Sequence, residues 1–331
     1  GHYLNNYDTY VPPGKSRHHI EYFYQSVKDV HFDPLVFSND PNTIDGKKDG
    51  ELYQPKIFSV KNEAQKIVAY LQNKNGQRDS KKPFCMIWSI NPPHNPWDDK
   101  NTDMDMLHKY YDVDKYPQID ETLVVRDNVD LNSNNAKHAR HYFANVTSVD
   151  RYIGEVIDYL KEMGELDNTI VIVSSDHGEM LGSHGQQGKN VPELESYAIP
   201  FIVHWPKQLQ AGIADVLFSV PDVLPSIMGL AGLKNKIPKE VQGNDFADLI
   251  KNEASNTVKK PEATLFGIQI SCYHQNLGLT GKNVFGLILD NNLSNPRLRV
   301  NVGEIDGTYF IPVFGFHYGG FMCLIAQLLT I

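Results

Sequence analysis

Asp167-Asn-Thr-Ile170-Val-Ile-Val173-Ser-Ser175-Asp176-His177-Gly178 is the stretch that decides the fold. Ile170 to Val173 is a near-continuous β-branched run without polar alternation, as expected of a strand buried on both faces. Ahead of it, Ala136 to Met163 reads as a helix, with Val146, Val149, Ile153, Val156, Ile157 and Leu160 on one apolar stripe. Gly164 ends that helix and Asp167-Asn-Thr turns the chain. A helix feeding a buried strand through a short turn predicts a central parallel strand in an open sheet.

Other elements extend the pattern. Ser59 is positioned to cap a helix running to about Asn73, with Val60, Ala64, Ile67, Val68 and Leu71 on one face. Phe84 to Ile90 reads as a buried strand ended by Asn91-Pro92-Pro93, and Phe201 to Trp205 as another strand. Asp222 to Leu230 reads as a helix ended by Gly232. The expected fold is therefore α/β, an open and mostly parallel sheet flanked by helices, over residues 1–262. From 263 to 331 short strand-like segments separated by Gly, Asn and Asp predict a smaller antiparallel C-terminal subdomain.

Composition narrows the function. The 331 residues are 41% hydrophobic and 21% charged, which excludes a disordered or low-complexity chain. A net charge of −9 argues against nucleic acid as the main partner. The apolar run Phe321 to Ile331 is about half of the ~20 residues that a membrane-spanning helix needs. It reads as a core element or a badly placed end, not as an anchor. Cys85, Cys272 and Cys323 lie far apart, with no Cys-x-x-Cys pair to hold zinc. Cys85, inside an apolar run, is expected to be a buried thiol.

Chemistry concentrates at strand ends, where open α/β sheets bind ligands. Asp176 and His177 are two metal-capable side chains there, followed by a glycine that permits a sharp turn. The same tripeptide also fits a turn in which Asp caps the next helix and His is solvated. The continuation carries His184, Lys189, Glu193 and Glu195, a set suited to holding an anion. An isolated lysine equally fits a solvated surface. His94, aimed by Pro92, Pro93 and Pro96, can bind an anion or protonate a leaving alkoxide, or can simply be a packed loop histidine. If these residues form one site, Asp176 lies at the carboxyl end of a central strand with His94 and Lys189 converging on one cleft.

Taken in order, Val146-Thr-Ser-Val149-Asp150, Asp167 through Gly185, the Lys189 loop, Pro200-Phe-Ile-Val-His-Trp-Pro206, and Val220-Pro-Asp222 with Val241-Gln-Gly243 resemble the type I, formylglycine-dependent sulfatases of the alkaline-phosphatase-like superfamily. The resemblance implies a sulfuric ester hydrolase, acting on a sulfated small molecule or glycan. It implies Ca2+ held by Asp176 and His177, sulfate bound by Lys189, and His94 at the sulfate or leaving group. His184 takes a supporting role at the substrate rim. It also implies a formylglycine made from cysteine by a formylglycine-generating enzyme, and an extracellular, periplasmic or lysosomal location. No cysteine here stands in the family's Cys-x-Pro/Ala-x-Arg context. The chain is accordingly expected to lack the family's nucleophile region and its C-terminal end, and to be inactive alone. A phosphodiesterase or phosphonate hydrolase of the same superfamily, and a non-catalytic paralogue that binds an anion or glycan, are the alternatives. Asn145-Val-Thr and Asn292-Leu-Ser also fit the glycosylation acceptor pattern.

Overall fold

A computed structural model describes residues 10–251, apart from 28–29, 41–46, 120–122, 124–128, 130–137, 190, 192 and 215. Beyond 251 it describes the backbone of 263–269, 283–289, 308–310, 313–314 and 321–327. The described chain divides into two compact units. One holds the residues up to Pro83, with Ser89–Gly164 and Leu181–Gly185; the other holds Phe84–Trp88, Glu165–Met180 and the residues from Gln186 onward.

In the first unit, β1 (Tyr24–Val27) and β2 (Leu35–Ser38) pair antiparallel. Three helices accompany them: α1 (Ser59–Leu71), α2 (Met104–Tyr110) and α3 (Ala139–Glu162). The spacing predicted for α1 is realised, since Val60, Ala64, Ile67 and Leu71 are buried. Ser59 is not its cap: it is the first helical residue, and no side chain caps this end. On α3 the predicted stripe holds, with Val149, Ile153, Val156 and Leu160 buried. Gly164 (φ 71°) follows the end of α3 in the left-handed region that favours glycine. Asn145 is fully buried and hydrogen-bonded, which removes it as a glycosylation acceptor. Asn292 lies outside the described residues.

The second unit is organised around a six-stranded sheet of order β3-β13-β4-β6-β11-β7. Its strands are β3 (Cys85–Ile90), β4 (Thr169–Ser175), β6 (Phe201–His204), β7 (Gly212–Ile213), β11 (Thr308–Phe310) and β13 (Phe321–Gln327). Thr169 to Ser175 is central, as expected, but both of its partners run antiparallel to it. Pairing of β11 with β6 is also antiparallel, and only that of β11 with β7 is parallel among the described directions of this sheet. The mostly parallel expectation is thus corrected. A continuous apolar run reports burial on two faces, and that pattern is the same for either strand direction.

A second sheet joins β5 (Ala198–Ile199), β12 (Val313–Phe314) and β8 (Phe218–Ser219). Strands β9 (Ala263–Gln269) and β10 (Asn283–Leu289) make an antiparallel pair. Among the described residues, strands beyond 262 enter three sheets, and β9 and β10 pair with each other. Turn-separated short strands announce pairing but not the partner, and here β13 inserts between β3 and β4. The backbone of the Phe321 run, as far as Gln327, is thus a strand of this sheet. Among the described residues no helix is long and apolar enough to cross a membrane.

The core of this unit packs Ile170, Ile172, Phe201, Val203 and Phe218 against Leu230, Phe246 and Ile250. The last three come from α5 (Val220–Leu230) and α6 (Ala247–Ile250) with its preceding residue; α4 (Leu194–Tyr197) precedes β5. A reciprocal cap starts α5: the Asp222 carboxylate accepts from Ser219 N–H and Ser219 Oγ–H, both at 2.9 Å. Asp222 also accepts from Asn244 N–H at 2.7 Å. A Cβ on Gly243 would sit 1.9 Å from the Pro221 carbonyl oxygen, so only glycine fits there. The Val220-Pro-Asp222 and Val241-Gln-Gly243 motifs are thus one joint in the scaffold. Cys85 corrects another expectation: it is exposed. On the edge strand β3, positions 85, 87 and 89 are exposed while Trp88 and Ile90 are buried.

Candidate active site

Strand β4 delivers Ser175, and Asp176, His177 and Gly178 follow immediately at its carboxyl end. Asp176 and His177 are half-buried. His177 Nδ1 lies 2.5 Å from the Gly178 carbonyl oxygen. A carbonyl can only accept, so Nδ1 carries the hydrogen and proton exchange falls to Nε2. Nε2 is 3.9 Å from Asp176 Oδ1. Ser175 Oγ–H donates to the His177 carbonyl at 2.7 Å and holds this turn against the strand end.

The exit turn is fastened to the segment that leads into β5. Gly178 N–H donates to the Ser196 carbonyl at 2.8 Å. A Cβ on Gly178 would lie 2.0 Å from the Glu195 carbonyl oxygen, so the close approach of the two backbones requires glycine. Ser174 Oγ–H donates to the Pro200 carbonyl at 2.9 Å.

Lys189 is placed by the same turn. The Glu179 carboxylate accepts from Gly188 N–H at 2.6 Å, and Met180 N–H donates to the Gly188 carbonyl at 2.9 Å. Both polar groups of Gly188 are consequently tied to the two residues after Gly178, and Lys189 is the next residue. Its side chain is half-buried. Glu193 accepts from Gln186 Nε2 at 3.3 Å. Glu179, the residue directly after the decisive stretch, carries no role in the sequence reading. Its spacing from Gly188 carries no helical or strand period that would have revealed the bond.

The two remaining predicted residues belong to the first unit. His184 is exposed on a tight turn over Ser183–Gly185, with φ 54°. His94 is half-buried in the loop after β3. Its Nδ1 lies 2.8 Å from the Asn95 carbonyl oxygen, which again assigns the hydrogen to Nδ1 and exchange to Nε2.

The fit of a calcium ion can be tested on the donor set. Among the described residues no three His, Cys, Asp or Glu side chains come together as a metal site. Asp176 and His177 offer one carboxylate and one imidazole, whereas calcium takes ~6–8 oxygen ligands. Asp176 and His177 do not complete a calcium site by themselves.

Comparisons with known proteins bear on the family. A family model described as Sulfatase matches residues 6–233. An endo-4-O-sulfatase of Bacteroides thetaiotaomicron is 38% identical over 262 residues, covering 78% of this chain and 49% of that protein. An ulvan-active sulfatase of Formosa agariphila is 33% identical over 176 residues, covering 51% of this chain and 32% of that protein. A solved Bacteroides thetaiotaomicron structure, from work on the metabolism of multiple glycosaminoglycans, superposes with a TM-score of 0.72 at 36% identity. That superposition covers 84% of this chain and 55% of the other. The chain spans about half or less of the length of these relatives.

Proposed function

Because this chain belongs to the sulfatase family, we propose that it supplies the anion-binding and proton-transfer groups of a sulfuric ester hydrolase acting on a sulfated carbohydrate. One observation carries the proposal: the Asp176-His177-Gly178 strand exit and the Lys189 turn are fastened together through Glu179 and Met180. The backbone before Lys189 is thereby tied to the strand-end motif, and a cation close to such a motif is suited to binding a sulfuryl group. The carbohydrate is proposed by analogy with relatives named for endo-4-O-sulfatase and ulvan-active sulfatase activity.

In this reading the Lys189 ammonium neutralises charge on the sulfuryl oxygens as the S–O bond lengthens. His94, with Nδ1–H committed to Asn95, delivers its Nε2 proton to the leaving ester oxygen. His184 contacts the substrate rim. The Asp176 carboxylate and His177 Nε2 would help to hold a calcium ion, which would add positive charge at the sulfuryl group. A formylglycine made by a formylglycine-generating partner would supply the nucleophile. Cys85, Cys272 and Cys323 all lack the Cys-x-Pro/Ala-x-Arg context, so this sequence does not provide it.

Calorimetric titration of the chain with sodium sulfate tests the reading. A charge-assisted contact is worth ~1.5–3 kcal/mol, so Lys189→Ala is expected to weaken sulfate roughly tenfold or more. Aryl sulfate hydrolysis by the 331-residue chain alone is expected to be undetectable. Dialysis-resistant turnover would reveal an unrecognised nucleophile, and phosphate bound much more tightly than sulfate would favour phosphoryl transfer.

A further inference from the structure

The loop Asn91-Pro92-Pro93-His94-Asn95-Pro96-Trp97 contains three prolines, which have carbonyl acceptors but no N–H donors. Its carbonyls therefore need donors from elsewhere. The His94 N–H donates back to Asn91 at 3.0 Å and forms a turn. The Pro93 carbonyl receives the Trp97 indole Nε1–H at 2.7 Å. The Trp97 carbonyl in turn accepts from His138 Nδ1 at 2.9 Å, which fixes the hydrogen on that nitrogen. The Trp97 ring also packs against the rings of His138 and Tyr142, with centroids 5.8 and 5.9 Å apart.

His138 begins a polar row that continues along one side of α3. His141 Nε2 meets Asp99 at 2.9 Å, and Asn145 Nδ2–H2 donates to the Asn101 carbonyl at 3.1 Å. Ser148 Oγ–H donates to Asp103 at 2.7 Å. Positions 138, 141, 145 and 148 are separated by three, four and three residues, so they share a helical face. Residues 97 to 103 are held in register along that face, beginning at Trp97.

We propose that Trp97 is a positioning residue for His94, locked by His138. The indole holds the Pro93 carbonyl, which fixes the turn that lays the His94 ring back on Asn95 with its hydrogen on Nδ1. This deepens the sulfatase reading, since it matters to catalysis only if His94 acts at Nε2.

Long-range proton–nitrogen NMR of the 331-residue chain tests the proposal, with His94 identified by its disappearance in His94→Ala. The neutral wild-type ring is expected as the Nδ1–H tautomer. Trp97→Phe keeps an aromatic ring against His138 and Tyr142 but removes the donor. It should raise the ratio of Nε2–H to Nδ1–H in His94 about tenfold, with the urea midpoint serving as the folding check. His138→Ala should do the same. His138→Asn, whose amide can still donate to the Trp97 carbonyl, should restore the wild-type ratio. Should Trp97→Phe not fold, the two His138 variants decide by themselves. A tautomer ratio within twofold of wild type in folded Trp97→Phe or His138→Ala overturns the proposal. If the ratio responds as expected while His94→Ala leaves sulfate affinity within twofold, positioning stands and the assignment of His94 to the sulfate site falls.

Discussion

Gly178→Ala is the most revealing single change. The new Cβ would stand 2.0 Å from the Glu195 carbonyl oxygen, whereas real Cβ contacts are essentially never under 3.0 Å, so one backbone must retreat by at least 3.0 − 2.0 = 1.0 Å. If the retreat runs along the Gly178 N–H to Ser196 bond, that bond stretches from 2.8 Å to about 3.8 Å, beyond hydrogen-bond range. Overpacking costs ~1–3 kcal/mol, and a lost buried hydrogen bond adds ~1 kcal/mol. The expected loss is about 3 kcal/mol, read as a lower urea midpoint with an unchanged slope. The same displacement moves Asp176 and His177 relative to the Lys189 turn. A misplacement of about 1 Å in a reacting site can cost ~100-fold in rate, so sulfate affinity should fall along with stability. An alanine variant with a wild-type urea midpoint and wild-type sulfate affinity would refute the argument that backbone contact at this glycine sets the site.

Three further outcomes follow from the same structure. Glu179→Ala should weaken sulfate by several-fold through loss of the Gly188 bond, while Glu179→Gln, which keeps an acceptor, should bind at least as well as wild type; calorimetry of both variants separates strut from charge. Asp222→Ala removes acceptors for Ser219 and Asn244 at the start of α5, and should cost roughly 2–3 kcal/mol in urea unfolding. Burial pushes the Asp49 carboxyl up, but hydrogen bonds from Arg17 and Tyr10 together with the Arg17 charge outweigh it and hold the group below its ordinary value of 3.8. A depressed pKa gives stability that is fully present above about pH 4 and is lost as pH falls through the folded value. Asp49→Asn should therefore flatten this part of the acid limb in a pH series of urea midpoints. At neutral pH it should cost ~2–3 kcal/mol, below the usual figure for a fully buried pair because Asp49 is 28% exposed while Arg17 is 1% exposed.

Where sequence and structure agree, the residues concerned report burial. The α1 and α3 stripes and the Ile170 to Val173 run follow from apolar periodicity, because each apolar side chain must be removed from water. Where they differ, the missing quantity is direction or partner. Nothing in Ile170-Val-Ile-Val173 distinguishes a parallel from an antiparallel neighbour, and nothing near Phe321 tells that β13 will sit between β3 and β4. Cys85 looked buried because its neighbours are apolar. On an edge strand only alternate positions are covered, and Cys85 shares the uncovered side with Ile87 and Ser89.

The site divides along the same line. The candidate residues Asp176, His177, His94, His184 and Lys189 stand out from sequence by type and position, and the family resemblance is what gives them roles. The groups bonded to their backbone neighbours do not stand out, because they act through backbone atoms that every residue possesses. Glu179 reaches Gly188 N–H, Trp97 reaches the Pro93 carbonyl, and His138 reaches the Trp97 carbonyl. Yet part of this was within reach. Three prolines around His94 leave carbonyls without local donors, and a polar row at positions 138, 141, 145 and 148 on an otherwise apolar-striped helix is a ready source of partners. Asn145 shows the difference in meaning. Within Asn-Val-Thr it matches a glycan acceptor, but as a member of that row it is a buried link that binds Asn101 and Asp103 to α3. A polar residue at helical spacing with a hydrophobic stripe can thus be read as a demand for a backbone to hold, and in this chain that backbone is the one continuing from His94.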